Sequence, residues 1–189
     1  SNSRMDSIRI LIVEDEGIIA RDLQLRLKNL GYHVEAVMSK GEDVLQYLEQ
    51  TPPPDLILMD IYLKGELDGI ETSVRIHEQL EVPIIFITAN ADEQTMLRMK
   101  PAMASGYILK PFNERELQVN IDLVVNKFRT EQQMRQKEQW LFQLFHNIND
   151  GIIATDQQNS VRYVNPSAEQ LLQIRAQDVQ GLALEAFFT

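Results

Sequence analysis

Five short strand-like runs, each followed by a stretch of helical periodicity, constrain this chain more than any other feature. The runs are Ile8–Val13 (IRILIV), His33–Val37, Leu56–Met59, Pro83–Thr88 (PIIFIT) and Tyr107–Leu109. Most are apolar without alternation, the pattern of strands covered by helices on both faces of a parallel sheet. Between them, Ile18, Ile19, Leu23, Leu27 and Leu30 recur at helical spacing up to Gly31. Glu42–Gln50 turns Val44, Leu45 and Leu48 inward and is broken by Thr51-Pro52-Pro53-Pro54. Ile70–Leu80 carries Ile70, Val74, Ile76 and Leu80, and Asp92–Met99 is a short helix that Pro101 ends. A further helix starts at Glu114 with Leu117, Ile121, Val124 and Phe128 on one side.

Strands alternating with helices predict an α/β fold, and right-handed crossovers leave few arrangements. The expected one is a flavodoxin-like doubly wound five-stranded parallel sheet in the order 2-1-3-4-5. A long linker helix and a partial α+β segment follow it. Arg129–Gln139 holds one apolar residue in eleven and neither Gly nor Pro. It reads as a solvated continuation of the preceding helix, or as a two-stranded coiled coil with charged residues at several core positions. Trp140–Ile148 is apolar again at helical spacing, with Trp140 and Phe145 read as packing residues. Gly151–Asp156 and Ser160–Val164 read as strands around Gln157-Gln158-Asn159, and Asn165-Pro166-Ser167 starts a helix with Ala168, Leu171 and Leu172. The expected division is a disordered start at 1–7, where Ser1-Asn2-Ser3-Arg4 reads as a cloning remnant ahead of Met5, then a domain at 8–128, a linker at 129–145 and a second, truncated domain at 146–189.

Composition excludes several classes. With 44% hydrophobic residues the chain can bury a core and is not a disordered acidic tail. The 28 acids against 18 bases disfavour a nucleic-acid partner, which needs clustered cations. No cysteine is present, so disulfides, thiolate metal sites and Cys nucleophiles are excluded. No run nears the ~18 apolar residues of a membrane span and no signal peptide is visible, so neither a membrane nor secretion is expected and the default compartment is the cytoplasm. His33, His77 and His146 are scattered at no metal-ligand spacing. Met96, Met99 and Met103 read as core or as a mobile partner surface.

In open parallel sheets, functional groups collect at the carboxyl ends of the strands. Here those ends carry Glu14-Asp15, Asp60, Thr88 and Lys110. Crowded carboxylates repel one another and call for a cation, and Mg²⁺ suits a small set of carboxylates with waters and a phosphate oxygen. A carboxylate beside such a cation can attack phosphorus and form an aspartyl-phosphate. Asp60 as acceptor, Glu14 and Asp15 as metal holders, and Lys110 and Thr88 as phosphoryl ligands divide that work completely.

At these residues the chain resembles the response-regulator receiver domain of two-component systems. The matching stretches are ILIVEDE (10–16), LILMDI (56–61), FITA (86–89) and YILKPF (107–112), within a resemblance covering roughly Ser7–Phe128. It implies the roles just given, with Mg²⁺ or Mn²⁺ as cofactor. It further implies Thr88 and Tyr107 as switch residues, a cis peptide before Pro111 and the backbone carbonyl of Tyr62 as a metal ligand. Two departures stand out. The loop Ile61–Gly69 is about one residue longer than the usual receiver loop and lacks its proline, and Pro101 cuts the fourth helix short. Both features resemble receivers at the N-terminus of sensor histidine kinases. Trp140–Thr189 resembles the first half of a PAS domain through NINDGIIATD (147–156), VRYVNPSAEQLL (161–172) and QGLALEAFF (180–188). No organic cofactor is expected in that half.

These resemblances imply two-component phosphorelay signalling. Phosphoryl acceptance on Asp60 switches the receiver, and the signal passes through the linker helix to the PAS segment and an output module beyond, a histidine kinase. The chain itself is then no enzyme beyond its own phosphorylation. Its expected partners are a phosphodonor histidine kinase or phosphotransfer protein, and a second copy in a parallel homodimer along 113–148. The alternative is an Asp-nucleophile phosphatase, which wants a second acid two residues after the nucleophile, where this chain has Tyr62. A nucleotide-binding module lacks a glycine-rich loop after the first strand.

Overall fold

The computed structural model describes residues 7–90, 92–100 and 105–187, with backbone only at Asn147 and Phe187. The first unit alternates β1 (Arg9–Val13), α1 (Gly17–Asn29), β2 (His33–Met38), α2 (Gly41–Gln50), β3 (Leu56–Asp60), α3 (Gly69–Gln79), β4 (Ile84–Thr88), α4 (Glu93–Met99) and β5 (Gly106–Leu109). All five strands are parallel, in the order β2-β1-β3-β4-β5 that the apolar runs predict. Every residue of β3 and β4 is buried. One face packs Leu11, Ile57, Met59, Ile84 and Phe86 against α2 and α3. The other packs Ile10, Ile12, Leu58, Ile85 and Ile108 against α1 and the first part of the next helix. Each such side chain contributes roughly 1.5–3 kcal/mol by leaving water, so the sheet dominates the stability of this unit.

Register decides where the chemistry sits. Val13 pairs with Met59, Asp60 with Ile87 and Thr88 with Leu109, so the carboxyl ends of four strands are level. Gly69, the first residue of α3, lies against the end of β3. A Cβ there would overlap the carbonyl oxygen of Asp60, and the Gly69 N–H donates to Ile61 O at 2.8 Å.

Two helices differ from the expected apolar stripes. In α1 the buried residues are Ala20, Leu23 and Leu27, while Ile18 is 89% exposed. At about 100° per residue Ile18 stands half a turn from Leu27. In α3, Thr72 and Ser73 are buried beside Ile70 and Ile76. Their hydroxyls donate to Asp68 O at 2.7 Å and Gly69 O at 2.8 Å, so they enter the core with satisfied polar atoms. In α4 Asp92 caps the Thr95 N–H, Thr95 and Met99 are buried, and Met96 is exposed. Pro101 and Met103 fall outside the described residues.

The helix α5 (Glu114–Asn147) runs unbroken for 34 residues, as the linker composition predicts. Asn113 and Glu116 start it with reciprocal side-chain-to-backbone bonds at 2.8 and 3.1 Å. Leu117, Ile121 and Val125 bury it on the sheet. The chain divides into two compact units between Arg129 and Thr130, inside this helix. In the second unit Trp140 and Phe145 are both exposed, against the expectation of packing residues, although the Phe145 ring lies 6.1 Å from that of Tyr163.

After α5, β6 (Ile153–Thr155) and β7 (Val161–Val164) form an antiparallel pair, with Asn159 left-handed in the turn. They are followed by α6 (Pro166–Leu172) and α7 (Ala176–Val179). Asn165 is fully buried. Its Oδ1 accepts from Ile152 N and Ala168 N, and its Nδ2 donates to Phe145 O and Asp150 O. Four bonds from one side chain tie the end of α5, the loop after it and the cap of α6 together. Leu171 and Leu172 point to solvent rather than into the small core of Val161, Val164, Ala168 and Val179.

Candidate functional site

Glu14 and Asp15 leave β1, and Asp60 ends β3, the neighbouring strand. A carboxyl oxygen from each lies within 4.8 Å of the other two, the only such His, Asp or Glu cluster among the described residues. Glu14 is 4% exposed and Asp60 7%. Lys110, just past β5, brings its Nζ to 3.2 Å from Glu14 Oε2 and 3.6 Å from Asp60 Oδ2. This ammonium thus pairs with two of the three carboxylates. Lys64 also approaches Asp15, at 4.0 Å, but is largely solvated and contributes little. The Lys110–Pro111 peptide is cis, as the resemblance implies.

The imbalance shows in Glu14. Burial, a hydrogen bond with Asp60 and the Asp60 charge push its pKa from 4.5 up to about 7, against the opposing pull of the Glu16 N–H and Lys110. An all-oxygen set of three carboxylates with excess negative charge fits a hard divalent cation such as Mg²⁺ or Mn²⁺. The shift has a stability consequence for metal-free protein. Glu14 holds its proton more tightly folded than unfolded, so the contribution is complete below pH 4.5 and is lost as pH rises through about 7. That swing is on the order of 3 kcal/mol. Glu14→Gln mimics the neutral acid and is expected to flatten this stretch of a Tm-against-pH curve in EDTA. An unchanged slope in the variant would contradict the assignment.

The remaining sequence-predicted residues are placed less uniformly. The Tyr62 N–H donates to Asp60 Oδ1 at 3.2 Å, so the loop that carries the Tyr62 carbonyl is tied to the acidic trio. The Tyr62 hydroxyl meets Thr95 Oγ1 at 3.5 Å. Thr88 is buried at the end of β4, yet its hydroxyl donates to Asn90 O at 2.8 Å and accepts from Asn90 N at 3.2 Å. It is held in its own turn rather than on Asp60. Tyr107 is 42% exposed, and its hydroxyl has no hydrogen-bond partner among the described residues. Of the histidines, His77 bonds to Val82 O and His146 to the Tyr163 hydroxyl, and none joins the acidic cluster.

Two residues near the site escaped the sequence reading. Glu42, in the first turn of α2, accepts from the N–H groups of Glu66 and Leu67, both at 2.8 Å. Arg98 on α4 pairs with Asp68, which caps α3. The only signal in the sequence was a glycine-bearing loop of unusual length with nothing local to stiffen it. A groove of about 930 Å³ lies at the opposite ends of the strands, lined by Arg9, Lys28, Tyr32, Asp55 and Arg129. Its Asp55 is already paired with Arg9 and Arg129, and it shares no residue with the acidic trio.

Comparison with known proteins agrees with this geometry. Residues 10–122 match the response regulator receiver domain family, and residues 139–188 match the PAS domain family. The transcriptional regulatory protein PdtaR of Mycobacterium tuberculosis is 33% identical over 121 residues, 64% of this chain and 58% of that protein. BaeR of Escherichia coli O6:H1 is 34% identical over 130 residues, 69% of this chain and 53% of that protein. The chain therefore spans a little over half the length of these relatives. Among solved structures, the signal receiver domain of a modulated diguanylate cyclase from Desulfovibrio desulfuricans G20 is 37% identical with a TM-score of 0.63, covering 67% of this chain and 99% of that one. The receiver domain of a sensor histidine kinase from Pseudomonas aeruginosa PAO1, described with a magnesium ion coordinated in its active-site cleft, is 32% identical with a TM-score of 0.58. It covers 64% of this chain and 98% of that one.

Proposed function

The chain belongs to the response regulator receiver family, with a PAS domain match behind the receiver, and on that premise we propose that it accepts a phosphoryl group on Asp60 in a divalent-cation-dependent reaction. The observation that carries this reading is an acidic trio at the ends of the adjacent strands β1 and β3, with Glu14 and Asp60 buried, and the Lys110 ammonium reaching both of them from the end of β5. An Asp60 carboxylate oxygen attacks phosphorus, a P–O bond to Asp60 forms, and the bond to the donor breaks with its electron pair leaving on the donor. For a phosphohistidine of a histidine kinase or phosphotransfer protein, the broken bond is P–N. Glu14, Asp15, Asp60 and the Tyr62 carbonyl hold Mg²⁺ or Mn²⁺, which when bound neutralises charge on the phosphoryl oxygens. Lys110 supplies a second positive charge to the same oxygens. Thr88 exchanges its bond to Asn90 O for one to the phosphoryl group, and Tyr107 responds to that movement.

The chain does no further chemistry in this reading. A phosphatase sharing the sheet would need an acid where Tyr62 stands. The unbroken α5 carries the change toward the PAS segment, with a histidine kinase as the output module. Val119 and Leu123, exposed on α5, and the exposed Trp140 and Leu144 further along it support a parallel homodimer, which sedimentation at high concentration reads directly. The site itself is tested by incubation with acetyl phosphate. One phosphoryl group per chain is expected with Mg²⁺ and none with EDTA, and labelling indifferent to the metal would refute the proposal.

A further inference from the structure

The loop between Asp60 and α3 is long, contains Lys64-Gly65 and has no proline, so its own sequence does not fix its path. Contacts at its end, its start and its middle fix it, and those made by Arg98 and Glu42 come from other elements. At its end, Asp68 and Glu71 form a capping box on α3, and Arg98 of α4 pairs with Asp68. At its start, the Tyr62 N–H sits on Asp60 Oδ1 and Ile61 O accepts from Gly69 N. In its middle, both hydrogen bonds go to a single oxygen of Glu42, from Glu66 N and Leu67 N. Charge-assisted bonds of this kind are roughly twice as strong as neutral ones.

The surroundings are cut to fit that carboxylate. Gly65 has φ +127°, and a Cβ there would come within 3.0 Å of Glu42 Oε2. Gly41, next to Glu42, lies so close to α3 that a Cβ would overlap the Thr72 hydroxyl, which sets α2 firmly beside α3. Its own backbone N–H first, then those of Leu67 and Glu66, hold the Glu42 carboxyl below the usual carboxylate range, so it stays ionised.

We propose that Glu42 is a positioning residue for the cation site: by gripping the backbone of Glu66 and Leu67 from α2, it holds the loop so that the Tyr62 carbonyl faces the acidic trio. The inference rests on the reading of Glu14, Asp15 and Asp60 as a cation and phosphoryl site. Glu42 touches neither the cation nor the phosphoryl group and acts only through the loop. It does for this chain what a rigid loop residue would do locally.

The experiment titrates Mg²⁺ calorimetrically into wild type, Glu42→Ala and Glu42→Gln, and follows amide exchange at Glu66 and Leu67 in metal-free protein. Glu42→Ala is expected to weaken Mg²⁺ binding about tenfold, the usual scale for residues that orient ligands. It should speed exchange at both amides and raise the Mg²⁺ needed for half-maximal labelling by acetyl phosphate, while leaving the rate at saturating Mg²⁺ unchanged. Glu42→Gln keeps an acceptor oxygen and should restore most of the affinity and the protection. Wild-type affinity in Glu42→Ala overturns the proposal. So does a loss of affinity with the two amides still protected, or a loss that Glu42→Gln fails to restore, which would mean that charge and not loop geometry matters. Wild type that binds no Mg²⁺ refutes the underlying site reading instead, and the amide exchange still reports whether Glu42 holds the loop.

Discussion

Replacing Asp60 by asparagine is expected to abolish labelling by acetyl phosphate, a fall of at least about a thousandfold in rate. The side chain is isosteric, and its Oδ1 can still accept the Tyr62 N–H that Asp60 holds at 3.2 Å. What disappears is the anionic oxygen that attacks phosphorus, together with one of the three charges that draw a cation into the trio. The fold should not suffer. Asp60 is 7% exposed and its charge helps to push the Glu14 pKa up to about 7, so neutralising position 60 relieves a buried repulsion. A thermal midpoint equal to or above that of wild type in metal-free buffer is expected beside the lost labelling. Together these separate a missing nucleophile from an unfolded protein. Asp60→Asn protein that still labels at a comparable rate would remove Asp60 from its proposed role.

Lys110→Ala is expected to lower the labelling rate by about two to three orders of magnitude, the usual cost of removing one preorganised charge from developing anionic oxygens. The ammonium reaches Glu14 at 3.2 Å and Asp60 at 3.6 Å, so it already occupies the edge of the trio. Its loss acts oppositely on the metal. Without a neighbouring positive charge the three carboxylates attract a divalent cation more strongly, and Mg²⁺ affinity should rise. In metal-free protein the Glu14 pKa moves further up, because Lys110 is one of the two influences that lower it. Slower labelling with tighter Mg²⁺ binding is a signature that general destabilisation cannot mimic. Lys110→Ala with unchanged labelling would show that the phosphoryl group is stabilised elsewhere.

Much of the architecture was legible because burial on both faces leaves an unmistakable trace. LILMD and IIFIT have no alternation, and a helix-covered parallel sheet hides every residue of such strands. Once the order β2-β1-β3-β4-β5 follows, the strand ends bring Glu14, Asp15, Asp60 and Lys110 together without further information. Helix faces were harder to read. Ile18 continues the apolar pattern of α1 yet points to solvent, whereas Thr72 and Ser73 break the pattern of α3 yet are buried, with their hydroxyls bonded one turn back. Periodicity weighs only apolarity and has no way to register a polar atom satisfied by its own helix.

Contacts between distant segments left no trace in the pattern. The bonds from Glu66 and Leu67 to Glu42 span 24 and 25 residues, and the Asp68–Arg98 pair spans 30. A loop that reads as flexible is pinned by them. The direction of the Thr88 hydroxyl was equally hidden, since its bond to Asn90 O depends on the turn after β4 and not on the residue type. Trp140 shows the reverse failure: an apolar residue at helical spacing reads as packed, but it is 57% exposed on α5.

Peptide mapping of wild-type protein after acetyl phosphate and Mg²⁺, with the acyl phosphate trapped by borohydride, reads the acceptor residue itself. The expected result is one modified residue, Asp60, unmodified when EDTA replaces Mg²⁺. A phosphoryl group found on a histidine or on any other carboxylate, with Asp60 untouched, would contradict the assignment of the acidic trio as the phosphoryl-accepting site.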